Sequence, residues 1–138
     1  MEPDFALLLK KLHVTFKNPA ILVEAFTHRS YLNESSQTRS SNERLEFLGD
    51  AILSFLVSEH LYLNYPNLTE GQLTNFRSTI VKTETLAQIS EQLEFGSYLF
   101  LSKGEEKGGG RQNHSLLADT FEAVLGATFF LGFGKVFI

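Results

Sequence analysis

Apolar positions recur at three- to four-residue spacing along nearly the whole chain, which is the period of a helix and not of a strand. Phe5, Leu8, Leu9 and Leu12, following Pro3 and Asp4, predict a first short amphipathic helix. Asn18-Pro19 reads as a cap with a first-turn proline and opens a second helix to about Phe26. The residues from Leu32 to Ser41, rich in asparagine, serine and threonine, predict a polar loop. At Asn42 a long apolar segment begins and reaches roughly Tyr62, where Asn64-Tyr65-Pro66-Asn67 stops it. Thr69 followed by Gln72 has the form of a capping box for a helix to about Val81, and Thr83 begins another that ends near Gly96. Ser102 to Gln112, with Gly108-Gly109-Gly110, predicts a loop or short helix, and a last helix runs from about Asn113 to Leu131. The expectation is an all-α fold in a single domain over residues 1–138, without repeats or linkers.

Two of these helices share an oddity. From Leu45 to Leu63 and from Leu116 to Phe133, apolar residues cover nearly the whole circumference, the pattern of helices enclosed by a core. Both nevertheless carry carboxylates. Glu43, Glu46 and Asp50 fall within about 60° of one another on one helix face, and Asp119 and Glu122 share a face of the other. Like charges so spaced repel, burial makes them costlier, and no basic residue stands three or four positions from Asp119 or Glu122. A positive species should neutralise them. Ligands that are oxygen only suit magnesium or manganese better than zinc or copper.

Composition narrows the choices. The chain contains 138 residues and no cysteine, which excludes a disulfide scaffold, a thiolate zinc site and a cysteine nucleophile. Met1 to Lys11 reads as an amphipathic helix and not as a secretory signal, so a cytoplasmic location without a membrane segment is expected. The net charge of −4, from 12 basic and 16 acidic residues, speaks at first against a nucleic-acid partner. If six acids belong to one site, however, the remainder is 10 acids against 12 bases, a net of +2. The acidity is then local.

The run Asn42-Glu43-Arg44-Leu45-Glu46-Phe47-Leu48-Gly49-Asp50 resembles the nine-residue signature of the ribonuclease III family. Phe26-Thr27-His28-Arg29-Ser30-Tyr31 upstream and Leu117-Ala118-Asp119-Thr120-Phe121-Glu122-Ala123 downstream match in order and approximate separation. The resemblance implies an all-helical endonuclease domain that dimerises and cuts double-stranded RNA with magnesium, leaving 5′-phosphates and short 3′ overhangs. By position it makes Glu46, Asp50, Asp119 and Glu122 the catalytic, metal-binding carboxylates. Glu43 and Glu70 become acids that help to place the scissile strand, and Phe47 an aromatic that enters the partner subunit of a homodimer. Glu70 also fits a purely local role, since helix dipoles favour an acid in the first turn, and Phe47 fits simple core packing. Family members usually continue into a double-stranded-RNA-binding domain, which is not expected within these residues, and the end around Phe129-Phe130-Leu131-Gly132 departs from the family pattern.

Weaker signals complete the reading. Lys107 and Arg111, flanking three glycines, could approach an RNA backbone, although a solvated turn explains them as well. His28 beside Ser30 hints at a nucleophilic hydroxyl but has no carboxylate marked by sequence to orient it. His13, His60 and His114 read as surface or cap residues. The rival function is a non-catalytic ribonuclease-III-like RNA-binding or scaffold subunit, against which all four catalytic acids speak. A di-iron helical protein would need Glu-x-x-His pairs, and the chain has none.

Overall fold

The computed structural model describes residues 2–34 and 39–132. Seven α-helices are found among them: α1 (Phe5–Leu12), α2 (Pro19–Ala25), α3 (Glu43–Asn64), α4 (Glu70–Ile80), α5 (Thr83–Gln92), α6 (Lys103–Lys107) and α7 (His114–Gly126). Extended pairing among the described residues is limited to one bridge between Thr27 and Phe100, so the all-α expectation holds.

Helix starts follow local chemistry. Asp4 accepts the Leu7 N–H at 3.1 Å, and Asn18 accepts that of Ala20 ahead of Pro19. Thr69 and Gln72 close the expected capping box reciprocally. Some boundaries move. Helix α5 ends at Gln92 instead of near Gly96, because Glu94 turns left-handed at φ 59° and a separate 3-10 turn, Phe95–Tyr98, follows. Helix α7 continues beyond Gly126 as a π-helical stretch, Ala127–Gly132. Part of the expected polar loop is a 3-10 turn, Arg29–Asn33, and its residues 35–38 lie outside the described residues, as do 133–138.

Helix α7 lies between α3 and α5. Leu53, Leu86 and Ala118 join the three helices, and the buried Ser90 hydroxyl donates to the Leu117 carbonyl at 2.7 Å. A larger core gathers Leu8, Leu22, Phe26, Phe95, Leu99 and Ala123, with the Phe26 and Phe95 rings edge to face at 5.2 Å.

Helix α3 corrects the enclosed-core expectation. Leu45, Gly49, Ile52, Leu53 and Leu61 are buried, yet Phe47, Phe55, Tyr62 and Leu63 on the same helix are exposed. Its apolar residues surround the axis, but α7 and α4 cover only part of it. Helix α4 buries no residue and is tied to α3 through Arg77, whose guanidinium donates to the Ser58 hydroxyl at 2.8 Å.

Candidate active site

The α3–α7 crossing creates the site. A methyl group at Gly49 would overlap the Glu122 carbonyl oxygen, and one at Gly126 would stand 2.6 Å from that of Leu45. The two helices therefore touch backbone to backbone. Any side chain at these positions would push them apart.

This close approach sets the carboxylates of one helix against those of the other. Glu46, Asp119 and Glu122 each offer an oxygen within 4.8 Å of the others, and all three are partly buried. Asp50 is exposed at the rim and shares a hydrogen bond with Glu122. Burial, then repulsion from Asp50, Glu46 and Asp119, pushes the Glu122 carboxyl up to about 8. Glu46 is also raised, by burial first and then by Asp119 and Glu43. Burial raises Asp119 as well, while its hydrogen bond from Glu46 and the nearby His28 pull the other way. The burial and mutual repulsion of these carboxyls disfavour full charge on the cluster in the absence of a compensating cation.

The other expected site residues fall into place unequally. Glu43 lines the same cleft, of about 260 Å³, and accepts from the Ser41 hydroxyl at 3.1 Å. Glu70 opens α4, exposed, and among the described residues no interaction ties it to the carboxylate cluster. Phe47 is 82% exposed, which removes the core-packing alternative. Lys107 ends α6 with its side chain in solvent. Arg111 departs from the expected RNA contact: its guanidinium donates to the Gly96 and Leu99 carbonyls, both at 2.9 Å, and to Glu106 at 2.8 Å. Those donors are engaged inside the chain, where they fasten the turn before α7.

His28 and Arg29 line the acidic cleft beside Glu46 and Asp119, although sequence spacing gave neither a place there. Long-range backbone bonds bring them in. His28 N–H donates to the Phe100 carbonyl at 3.1 Å and Asn42 N–H to that of Thr27 at 2.9 Å. The buried Asn42 side chain also holds the Ala25 carbonyl at 3.2 Å, joining the end of α2 to the start of α3. Ser30 does face His28, but its hydroxyl is tied up by the Ser102 N–H at 3.0 Å, so the hydrolase hint resolves into a structural contact.

The Ribonuclease-III-like family profile matches residues 18–136. The chain belongs to the ribonuclease III family. It is 48% identical over 126 residues to Ribonuclease 3 of Bacillus cytotoxicus, covering 91% of this chain and 51% of that protein. Against Ribonuclease 3 of Halalkalibacterium halodurans the identity is 50% over 123 residues, covering 88% and 47%. The chain thus spans about half the length of these ribonuclease III relatives. Among solved structures, the nuclease domain of ribonuclease III from Campylobacter jejuni, described for flexibility in its dimer-forming region, superposes with a TM-score of 0.84 at 35% identity. That match covers 91% of this chain and 84% of the other.

Proposed function

We propose that this chain is the catalytic domain of a divalent-metal-dependent endoribonuclease that hydrolyses phosphodiester bonds of double-stranded RNA, leaving 5′-phosphate and 3′-hydroxyl ends with short 3′ overhangs. The carrying observation is the meeting of Glu46, Asp119 and Glu122 across the α3–α7 crossing. Among the described residues no lysine or arginine pairs with them. The donors are all oxygen and mutually repulsive, which fits magnesium, with manganese able to substitute. Such an ion supplies Lewis acidity toward a phosphate oxygen and an attacking water. Glu46, Asp119 and Glu122 would hold it, and Asp50 would orient Glu122 through their hydrogen bond. Glu43, at the cleft mouth, and Glu70 would help to place the scissile strand. Duplex RNA conceals base edges in a deep groove, so recognition rests on shape, phosphates and 2′-hydroxyls.

Incubating the purified chain with a long RNA duplex tests this reading. Magnesium or manganese should support cleavage and a chelator should stop it. Cleavage without metal, or equal cleavage of single strands and duplex DNA, would overturn it.

The working unit in this reading is a homodimer. Phe47 projects from α3, and beside it lies a hollow of about 600 Å³ bounded by Glu24, Arg44 and Leu48, able to receive the same residue of a second copy. Two-fold symmetry would place one site on each strand and stagger the cuts. Phe47→Asp should give a monomer by sedimentation that keeps helical circular dichroism but loses duplex cleavage. A folded, fully active dimer would refute the interface.

A further inference from the structure

His28 stands in the turn between α2 and α3 with its ring along the acidic cleft. One edge of that ring is fixed by its own turn. The Ser30 backbone N–H donates to Nδ1 at 3.2 Å, and the Ser30 hydroxyl lies 2.8 Å from the same atom. The hydroxyl oxygen in turn receives the Ser102 backbone N–H at 3.0 Å, which leaves its proton for the imidazole. A ring nitrogen that accepts from two donors carries no proton, and a neutral imidazole then bears its proton on the other nitrogen. Nε2 is therefore the N–H. Among the described residues it has no hydrogen-bond partner, although Glu46 and Asp119 line the same cleft.

A donor presented to an acid-lined cleft has a use when an anion enters. The cleft, at about 260 Å³, holds several waters' worth of space and admits a phosphate group. We propose that His28, locked as the Nε2–H tautomer by Ser30 and Ser102, donates a hydrogen bond to a non-bridging phosphate oxygen of the RNA linkage being cut. The inference rests on the nuclease reading above and adds a substrate contact in the cleft that His28 shares with Glu46 and Asp119. It differs from the local role of His28 as cap of the 3-10 turn Arg29–Asn33, which uses Nδ1 alone.

Asparagine and glutamine separate the two roles. His28→Asn keeps an acceptor where Nδ1 stands and has no donor that reaches as far as Nε2. His28→Gln loses the cap and places an amide donor near the Nε2 position. With wild-type cleavage as reference, H28N should keep the thermal midpoint yet lose roughly ten- to a hundredfold in single-turnover rate at saturating enzyme, the scale of one hydrogen bond to a charged acceptor. H28Q should recover several-fold over H28N despite a lower midpoint. An H28N variant cutting at the wild-type rate, or an H28Q variant no faster than H28N, overturns the proposal. Long-range nitrogen–proton correlation on the wild-type chain at about pH 8, above the usual imidazole range, needs no cleavage at all. It should show a protonated Nε2, and a protonated Nδ1 overturns the proposal. A wild-type chain that leaves duplex RNA uncut instead counts against the nuclease reading, with the tautomer still decided by the spectrum.

Discussion

Around α5 and α6, Glu94 faces Lys11, Glu106 faces Arg111 at 2.8 Å and Glu91 faces His114 at 3.3 Å, whereas at the α3–α7 crossing Glu46, Asp119 and Glu122 face one another. The first region holds the Glu94 and Glu106 carboxyls below their ordinary range through hydrogen bonds from Lys11 and Arg111. The second raises all three of its acids, mainly by burial. Acids with cations beside them are solvated decoration worth little to stability. Half-buried acids gathered with no lysine or arginine paired to them among the described residues oppose folding, and their presence points to a ligand that compensates them.

Removing one charge from the second region should have the largest effect. Glu122→Gln keeps the size of the side chain and deletes both the repulsion and one of the proposed metal ligands. Cleavage should fall by orders of magnitude while the thermal midpoint of the metal-free chain stays level or rises. Turnover like that of the wild type would remove Glu122 from the site.

Gly49→Ala attacks the geometry that brings the acids together. Its methyl group meets the Glu122 backbone, so α3 and α7 must separate, at a cost of about 3 kcal/mol on the scale of overpacked cores. Denaturant unfolding together with metal titration reads both consequences. A variant with unchanged stability and unchanged metal affinity would show that the helices tolerate a wider gap.

The two regions should also respond to pH with opposite signs. Between its ordinary value of 4.5 and about 8, Glu122 holds a proton in the folded chain that the unfolded chain has released. Its contribution is full below the lower value and is lost as pH rises through the upper one. The thermal midpoint in chelator should accordingly fall from about pH 5 to about pH 8, with Glu122→Gln or added magnesium flattening the slope. Glu94 and Glu106, with lowered values, act in the opposite sense and are exposed to solvent, so they contribute little. A midpoint that rises across this window in chelator would contradict the clustered-acid picture.

The smallest effect belongs to Glu106→Gln. Arg111 keeps its carbonyl partners at Gly96 and Leu99, so unfolding and RNA cleavage should both stay close to wild type. A clear loss of cleavage would give α6 a role that its geometry does not suggest.

Much of the site was legible because it is helical. Spacing alone grouped Glu43, Glu46 and Asp50 and paired Asp119 with Glu122, since residues three and four apart share a face. The Thr69–Gln72 box was equally local. His28 was not legible as a site residue, because it reaches the cleft through bonds between residues far apart in the chain, Thr27 with Phe100 and Thr27 with Asn42. Helix α3 misled for another reason: an all-round apolar pattern looks the same whether a helix is enclosed or keeps one face for a partner. Arg111 misled because a basic residue beside glycines gives no sign that its donors reach back to carbonyls at 96 and 99. A signal for the crossing was present in Gly49 itself, an interior helix glycine that costs about 1 kcal/mol and calls for a compensating close approach.

The contact between Gly49 and the Glu122 carbonyl also separates two kinds of evolutionary change. Because main chain meets main chain there, peptide geometry acts as the gauge for the distance across the acids, and the volumes of neighbouring side chains enter only indirectly. Substitutions among Leu53, Leu86 and Ala118 can then drift in size and alter how firmly the domain holds together while the spacing across the acids stays the same. Thermal adaptation of such a domain has the rest of the core to work with, and the glycines are the positions it must leave alone.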